Sequence, residues 1–159
     1  MTNELKKEFT LRISQANHSG MILILCDMEK VYVGDAITAY EEGDDANYLI
    51  YVNYAKKVHN ELMSCFATND SLGIKVLNIL RFIYKKLVES SVKQCPCDLD
   101  RCMNMMDNLR EGFVRLHEID DEGPVMRNTQ QVYAGLTYGK GTLNESFGKQ
   151  DYSNRGFKV

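Results

Sequence analysis

Residues 80–89 read Leu80-Arg81-Phe82-Ile83-Tyr84-Lys85-Lys86-Leu87-Val88-Glu89. Wound as a helix and followed upstream, Leu72, Val76, Ile79, Leu80, Ile83, Tyr84 and Leu87 fall on one broad face, the apolar stripe that a packed helix buries. Phe82 falls elsewhere, among Asn78, Lys85, Lys86 and Glu89, where the helix meets water. A large aromatic on a basic outer face points to a surface that another molecule covers.

The same periodicity recurs on both sides of this stretch. From about Ser19 to Glu42 the apolar positions are Met21, Leu25, Met28, Tyr32, Ala36 and Ala39, and Gly43 supplies the stop. From Asp45, the series Tyr48, Tyr51, Ala55, Val58, Leu62, Cys65 alternates steps of three and four, the seam of a bundle helix. The helix holding Phe82 starts after Asp70 or Ser71 and reaches about Lys93. Beyond the Cys95-Pro96-Cys97 turn, with Asp98 as N-cap, Leu99, Cys102, Met106, Leu109, Phe113 and Leu116 repeat the alternation. Short connections make neighbouring helices antiparallel. The expected fold is all-α, an antiparallel up-down-up-down four-helix bundle.

Two flanking segments complete the reading. The arm Thr2 to Ala16 is expected to dock through Phe9, Leu11 and Ile13, so that residues 1–118 comprise arm and bundle. After His117, Ile119-Asp120-Asp121-Glu122-Gly123-Pro124 breaks the helix and opens a glycine- and aromatic-containing tail, residues 119–159. Its aromatics cannot build a core alone but suit docking onto one. Tyr133, Leu136 and Tyr138 are the expected contacts of an extended or partly helical covering strap spanning 130–144, and the last ten residues are either docked or disordered.

Composition bounds the function. A chain of 159 residues with 44% apolar and 26% charged residues supports one cooperative domain rather than two. A net charge of -3 argues against nucleic-acid binding driven by counterion release. No apolar run approaches the ~20 residues of a membrane span, so no membrane insertion is expected. The opening Met1-Thr2-Asn3-Glu4-Leu5-Lys6-Lys7 is polar rather than an export signal, which leads to a cytoplasmic expectation. The five cysteines are therefore expected to be free thiols, with Cys26, Cys65 and Cys102 acting as small hydrophobes in helices. The spacing Cys95-x-Cys97-x4-Cys102 matches no zinc pattern and has no nearby His, so no metal or other cofactor is expected.

Catalytic constellations are equally scarce. His18, His59 and His117 follow no ligand spacing, and the helical carboxylates make no Glu-x-x-His pair of a di-iron bundle. Glu41, Glu42, Asp44 and Asp45 cluster at a turn without the offsets of a calcium loop. Tyr138-Gly139-Lys140-Gly141-Thr142 lacks the upstream glycine and flanking elements of a phosphate loop. The chain is not expected to be an enzyme.

Surface remains. Met21-Ile22-Leu23-Ile24-Leu25-Cys26 is apolar around the whole helix, more than one bundle stripe needs. Leu23, Ile24 and Val31 are left over, with Ile24 and Val31 one heptad apart on an outer line. Either the N-terminal arm or the tail covers them, or they line a groove for a partner helix or extended peptide. Both hold if a strap fills the groove until a partner displaces it.

Taken in order, these segments resemble the FliS family of flagellar export chaperones. The resemblance runs from about Ser14 to Glu118. It is carried by Ser19 to Asp27, Asp35-Ala36-Ile37 with Ala39, Ala55-Lys56-Lys57-Val58, Asn60-Glu61-Leu62, Phe82 to Glu89, and Leu109-Arg110 followed by Phe113. Departures are His18-Ser19-Gly20 where the family has Pro-Gly, Cys26 for its tyrosine, Phe113 for a tryptophan, and the long tail. The resemblance implies a non-catalytic cytoplasmic bundle that binds the C-terminal segment of flagellin. Such a chaperone prevents premature polymerisation and presents its cargo to the flagellar export apparatus. Leu23, Ile24, Val31 and Phe82 are the expected partner-binding residues. The alternative is a bundle that pairs with its own copies through the same apolar lines, as a homodimer or scaffold, without flagellin.

Overall fold

A computed structural model of the chain describes residues 1–66 and 71–126. Those residues form five helices and no strand: α1 (Asn3–Gln15), α2 (His18–Glu41), α3 (Asp45–Ser64), α4 (Ser71–Lys93) and α5 (Leu99–His117). The bundle helices lie within a residue or two of their expected bounds. The arm, expected to dock, is a helix, because Leu5, Phe9 and Ile13 recur every four residues and give it an apolar stripe. Thr2 caps its start and Asn17 caps α2, the Asn17 Oδ1 accepting from Gly20 N–H at 2.9 Å. Only Ala16 and Asn17 connect the two helices.

Paired residues fix the directions. Tyr32 meets Tyr54 and Tyr40 meets Tyr48, so α2 and α3 are antiparallel. Tyr48 Oη reaches Ser90 while His59 reaches Leu80, so α3 and α4 are too. Ser19 lies against His117 and Lys30 against Asp107, which sets α5 antiparallel to α2. Gly43, at φ 74°, lets the chain reverse after α2, with Asp44 N–H donating to Ala39 C=O at 2.8 Å.

The main core joins Ile22, Val33, Ala55, Leu62, Leu80, Ile83, Leu87, Leu99 and Met106 from α2 to α5. A polar junction sits inside it. His59 and Glu29 are fully buried, with His59 Nδ1 2.9 Å from both carboxylate oxygens and Nε2 2.8 Å from Leu80 C=O. A carbonyl only accepts, so Nε2 carries a proton, and one further proton is shared between Nδ1 and Glu29. Burial pushes the Glu29 carboxyl above its usual range, opposed by the hydrogen bond to His59. The imidazole also stacks on Tyr84 at 5.9 Å. One side chain therefore ties α2, α3 and α4 together.

Two expectations fail near α5. Asp98 has φ 63° and makes no side-chain cap; its carboxylate instead takes Lys86 Nζ at 2.9 Å. Cys95 and Cys97 are disulfide-bonded rather than free, because left-handed Gln94 and Asp98 around Pro96 fold the turn to a Cα separation of 5.5 Å. Cys26 and Cys102 are buried free thiols, pushed up by that burial to about 12 and about 11. Leu72, expected on the buried stripe, is exposed at the start of α4.

Candidate partner-binding surface

The leftover line on α2 lies beneath α1. Ile24 packs with Phe9 and Ala16, with Leu5, Ile13, Met28 and Val31 around them. Leu23 and Ile24 are buried and Val31 is half-buried. Among the helices, α1 packs on α2 alone. Leu11, expected among the docking residues, is half-buried beside the stripe formed by Leu5, Phe9 and Ile13.

Charge holds the cover in register. Asp27 of α2 accepts from Arg12 of α1 and from Arg110 of α5, each at 2.7 Å. Partial burial works to raise the Asp27 carboxyl, but hydrogen bonds from Arg110 and Arg12 outweigh it and hold the group below the usual range. The Arg12 guanidinium also sits 5.4 Å from the Phe9 ring centre.

A second concavity opens where α4 and α5 diverge. At the Cys95–Cys97 turn Lys86 bridges to Asp98, but toward the start of α4 the helices part around a groove of ≈ 610 Å³. Ile22, Phe66, Val76 and Phe113 line it, with Leu72 and Leu116 at its exposed margins. Phe66 and Phe113 pack ring to ring at 5.1 Å. Sequence reasoning took Leu72, Phe113 and Leu116 as ordinary core positions and missed the groove. Gly112 of α5 also lines the groove.

After α5 the chain crosses the start of α2. Asp120 C=O accepts from Asn17 Nδ2 at 3.3 Å, and Val125 N–H donates to Ala16 C=O at 2.9 Å. Hydrogen bonds from Ser19 and from Glu122 N–H hold the Asp120 carboxyl below its usual range. Ser19 Oγ lies 2.7 Å from His117 Nδ1. This pair resembles a nucleophile and its base, yet the nearby carboxylate of Asp120 bonds to Ser19 instead of orienting the imidazole as a triad requires. The cluster fastens a helix start. Gly20 makes the close approach possible, since a Cβ there would stand 2.8 Å from Asn17 Oδ1 and 3.3 Å from His117 Cε1.

The four expected partner-binding residues are not brought together. Ile24 and Val31 share the α1-covered face, Leu23 is buried beside it in a smaller concavity with Ala16, His117 and Pro124, and Phe82 stands on α4, 41% exposed on the outer face as expected. Tyr133, Leu136 and Tyr138 lie outside the described residues. Among the described residues no group of three or more His, Cys, Asp or Glu could hold a metal ion, and no helix is long and apolar enough to cross a membrane.

A family model described as Flagellar protein FliS matches residues 1–120. The chain belongs to the FliS family. No curated protein and no solved structure matches it. The match takes in all five helices, so α1 is part of the FliS unit, beyond the Ser14–Glu118 span of the resemblance. The FliS helical bundle and a chaperone role in flagellar assembly thus apply to this chain. The tail beyond Asp120 lies outside the match.

Proposed function

We propose that this FliS-family chain is a cytoplasmic, non-catalytic export chaperone that binds the C-terminal segment of flagellin on the face of α2 now covered by α1. The observation that carries the reading is the cover itself. α1 is a helix of 13 residues packed on α2 alone, and a free helix of that length is marginal in water. Its hold therefore comes from docking, and its departure uncovers Ile24 and Val31, one heptad apart, with Leu23 beside them. An amphipathic helix of flagellin fits that vacated line, exchanging one apolar stripe for another. Flagellin's terminal segment is disordered before assembly, so its ordering cost limits affinity for the area buried. Phe82 extends the contact to the outer face of α4 as cargo wraps the bundle, and the loaded complex is the form handed to the export apparatus.

Calorimetry with a flagellin C-terminal peptide tests this. The expected result is saturable binding by the chain and its loss in Val31→Asp, a half-buried position outside the main core. No heat at high protein concentration refutes the flagellin reading. Sedimentation of the chain alone, if it shows dimers that Val31→Asp dissolves, favours self-association instead.

A further inference from the structure

The turn between α4 and α5 holds two cysteines that the proposed chaperone role does not use. The Cys95–Cys97 bond closes a ring around Pro96 alone, and these three residues are half-buried between exposed Gln94 and Asp98. So short a loop contributes little to overall stability. The start of α5 is held without it, because Leu99, Cys102 and Met106 are buried in the main core. The bond acts on the backbone instead. Gln94 at φ 52° and Asp98 at φ 63° bracket the pair, and residues other than glycine keep left-handed backbone only where their surroundings impose it. On the α4 side hydrogen bonds supply that hold. Cys95 N–H donates to Ser90 C=O at 3.2 Å, and Ser90 Oγ donates to Cys95 C=O at 2.6 Å. Ser90 is tied in turn to buried Tyr48 of α3. On the α5 side the Asp98 carboxylate rests on Lys86 Nζ at 2.9 Å, an exposed ion pair of little strength. Asp98 also stands at the N-cap position of α5, where an aspartate with extended backbone is among the best caps. Left-handed, it makes no such cap.

We propose that Cys95–Cys97 is a thiol-exchange site whose redox state selects between two arrangements of Asp98. With the bond closed, Asp98 is held left-handed against Lys86, as seen here. With the bond open, Cys95 stays on Ser90 while Asp98 turns to extended backbone and caps α5 through Asp100 or Arg101 N–H. The reductant is a small thiol of the glutathione class. Its thiolate attacks one sulfur, the Cys95–Cys97 bond breaks, and the freed sulfur takes the electron pair and a proton. A second thiolate then attacks the mixed disulfide, which yields the other protein thiol and the disulfide of the reductant, two electrons having passed to the protein. In the cytoplasm proposed above, a disulfide is usually transient and redox-sensing rather than structural. Lys86 lies one helical turn from Phe82, so the same bond sets the charge presented beside that exposed ring.

The test uses the full chain equilibrated in glutathione buffers of graded ratio. Thiols are trapped with iodoacetamide and located by mass spectrometry. Cys95 and Cys97 are expected to pass together and reversibly between no label and two, while buried Cys26 and Cys102 stay unlabelled in the folded chain. Amide exchange followed by NMR then reads Asp100 and Arg101. The reduced chain is expected to exchange there about fivefold more slowly than the oxidised one, the usual worth of an aspartate cap. Cys95→Ser/Cys97→Ser should match the reduced chain, and Asp98→Ala in the reduced chain should remove the slowing. A pair that keeps one state at every glutathione ratio overturns the proposal. So does equal or faster exchange after reduction, or a slowing that survives Asp98→Ala. None of these measurements involves cargo, so the outcome is independent of the flagellin reading.

Discussion

Phe9→Ala tests the cover most directly. Phe9 is 3% exposed and lies at the centre of the cluster that joins α1 to α2, with Ile24 and Ala16 as its buried neighbours. Burying a phenylalanine contributes about 1.5–3 kcal/mol, so truncation weakens the docking of α1 by about 2 kcal/mol. At ~1.4 kcal/mol per factor of ten, the docking constant falls about thirtyfold. If cargo binds only the uncovered form, apparent affinity scales with the uncovered fraction. Phe9→Ala is then expected to bind a flagellin C-terminal peptide more tightly, by up to about thirtyfold and no further than the parent docking constant allows. Glu8→Ala, an exposed neighbour on the same helix, is the matched control and should leave affinity unchanged. Calorimetry gives the affinities, and amide exchange shows whether α1 alone loses protection while α3 and α4 keep theirs. Unchanged or weaker binding by Phe9→Ala would mean that α1 does not compete with cargo.

Three further outcomes are expected. Phe82→Ala should reduce flagellin-peptide affinity about tenfold while moving stability by no more than about 0.5 kcal/mol, as for other exposed positions; a stability loss above ~1.5 kcal/mol in urea melts would place Phe82 in the core. Glu29→Ala strips the buried imidazole of its partner and should cost about 3–5 kcal/mol, whereas Glu29→Gln, which keeps a hydrogen-bonding amide at the site, should cost about 1–2 kcal/mol; equal losses in denaturant unfolding would contradict a shared proton. For Asp27 the folded carboxyl titrates below its ordinary value of 3.8, so its clasp on Arg12 and Arg110 is fully present above that value and is lost as pH falls through the lower folded value. Amide exchange of α1 should accelerate in that acid window and not between pH 5 and 8.

The helices were legible because each apolar stripe serves one neighbour, and spacing reports such stripes without knowledge of the partner. Phe82 was legible for the converse reason, standing out against the polar residues of its own face. The fate of Leu23, Ile24 and Val31 was not, since an apolar line reads alike whether cargo or another part of the chain covers it. The step of four from Leu5 to Phe9 to Ile13 resolves that choice for the folded chain. Glu29 and His59 are separated by thirty positions, and neither shows in one-dimensional pattern that the other will neutralise it. The α4–α5 groove was hidden for a geometric reason. Periodicity gives the face of each helix but not how closely two helices approach along their length, so Phe113 and Leu116 look like core residues although they line a groove.

The two-residue joint between α1 and α2 has a mechanical consequence. Pivoting at Ala16 and Asn17, a 13-residue helix sweeps an arc with a radius of about 20 Å, at 1.5 Å per residue. A displaced α1 therefore stays leashed to the face it left, and its return does not depend on protein concentration. Release of a bound segment can proceed stepwise, with the leashed helix refilling each vacated stretch before that stretch rebinds. Val125, bonded to Ala16 at the pivot, ties the chain after α5 to the same joint about which α1 turns.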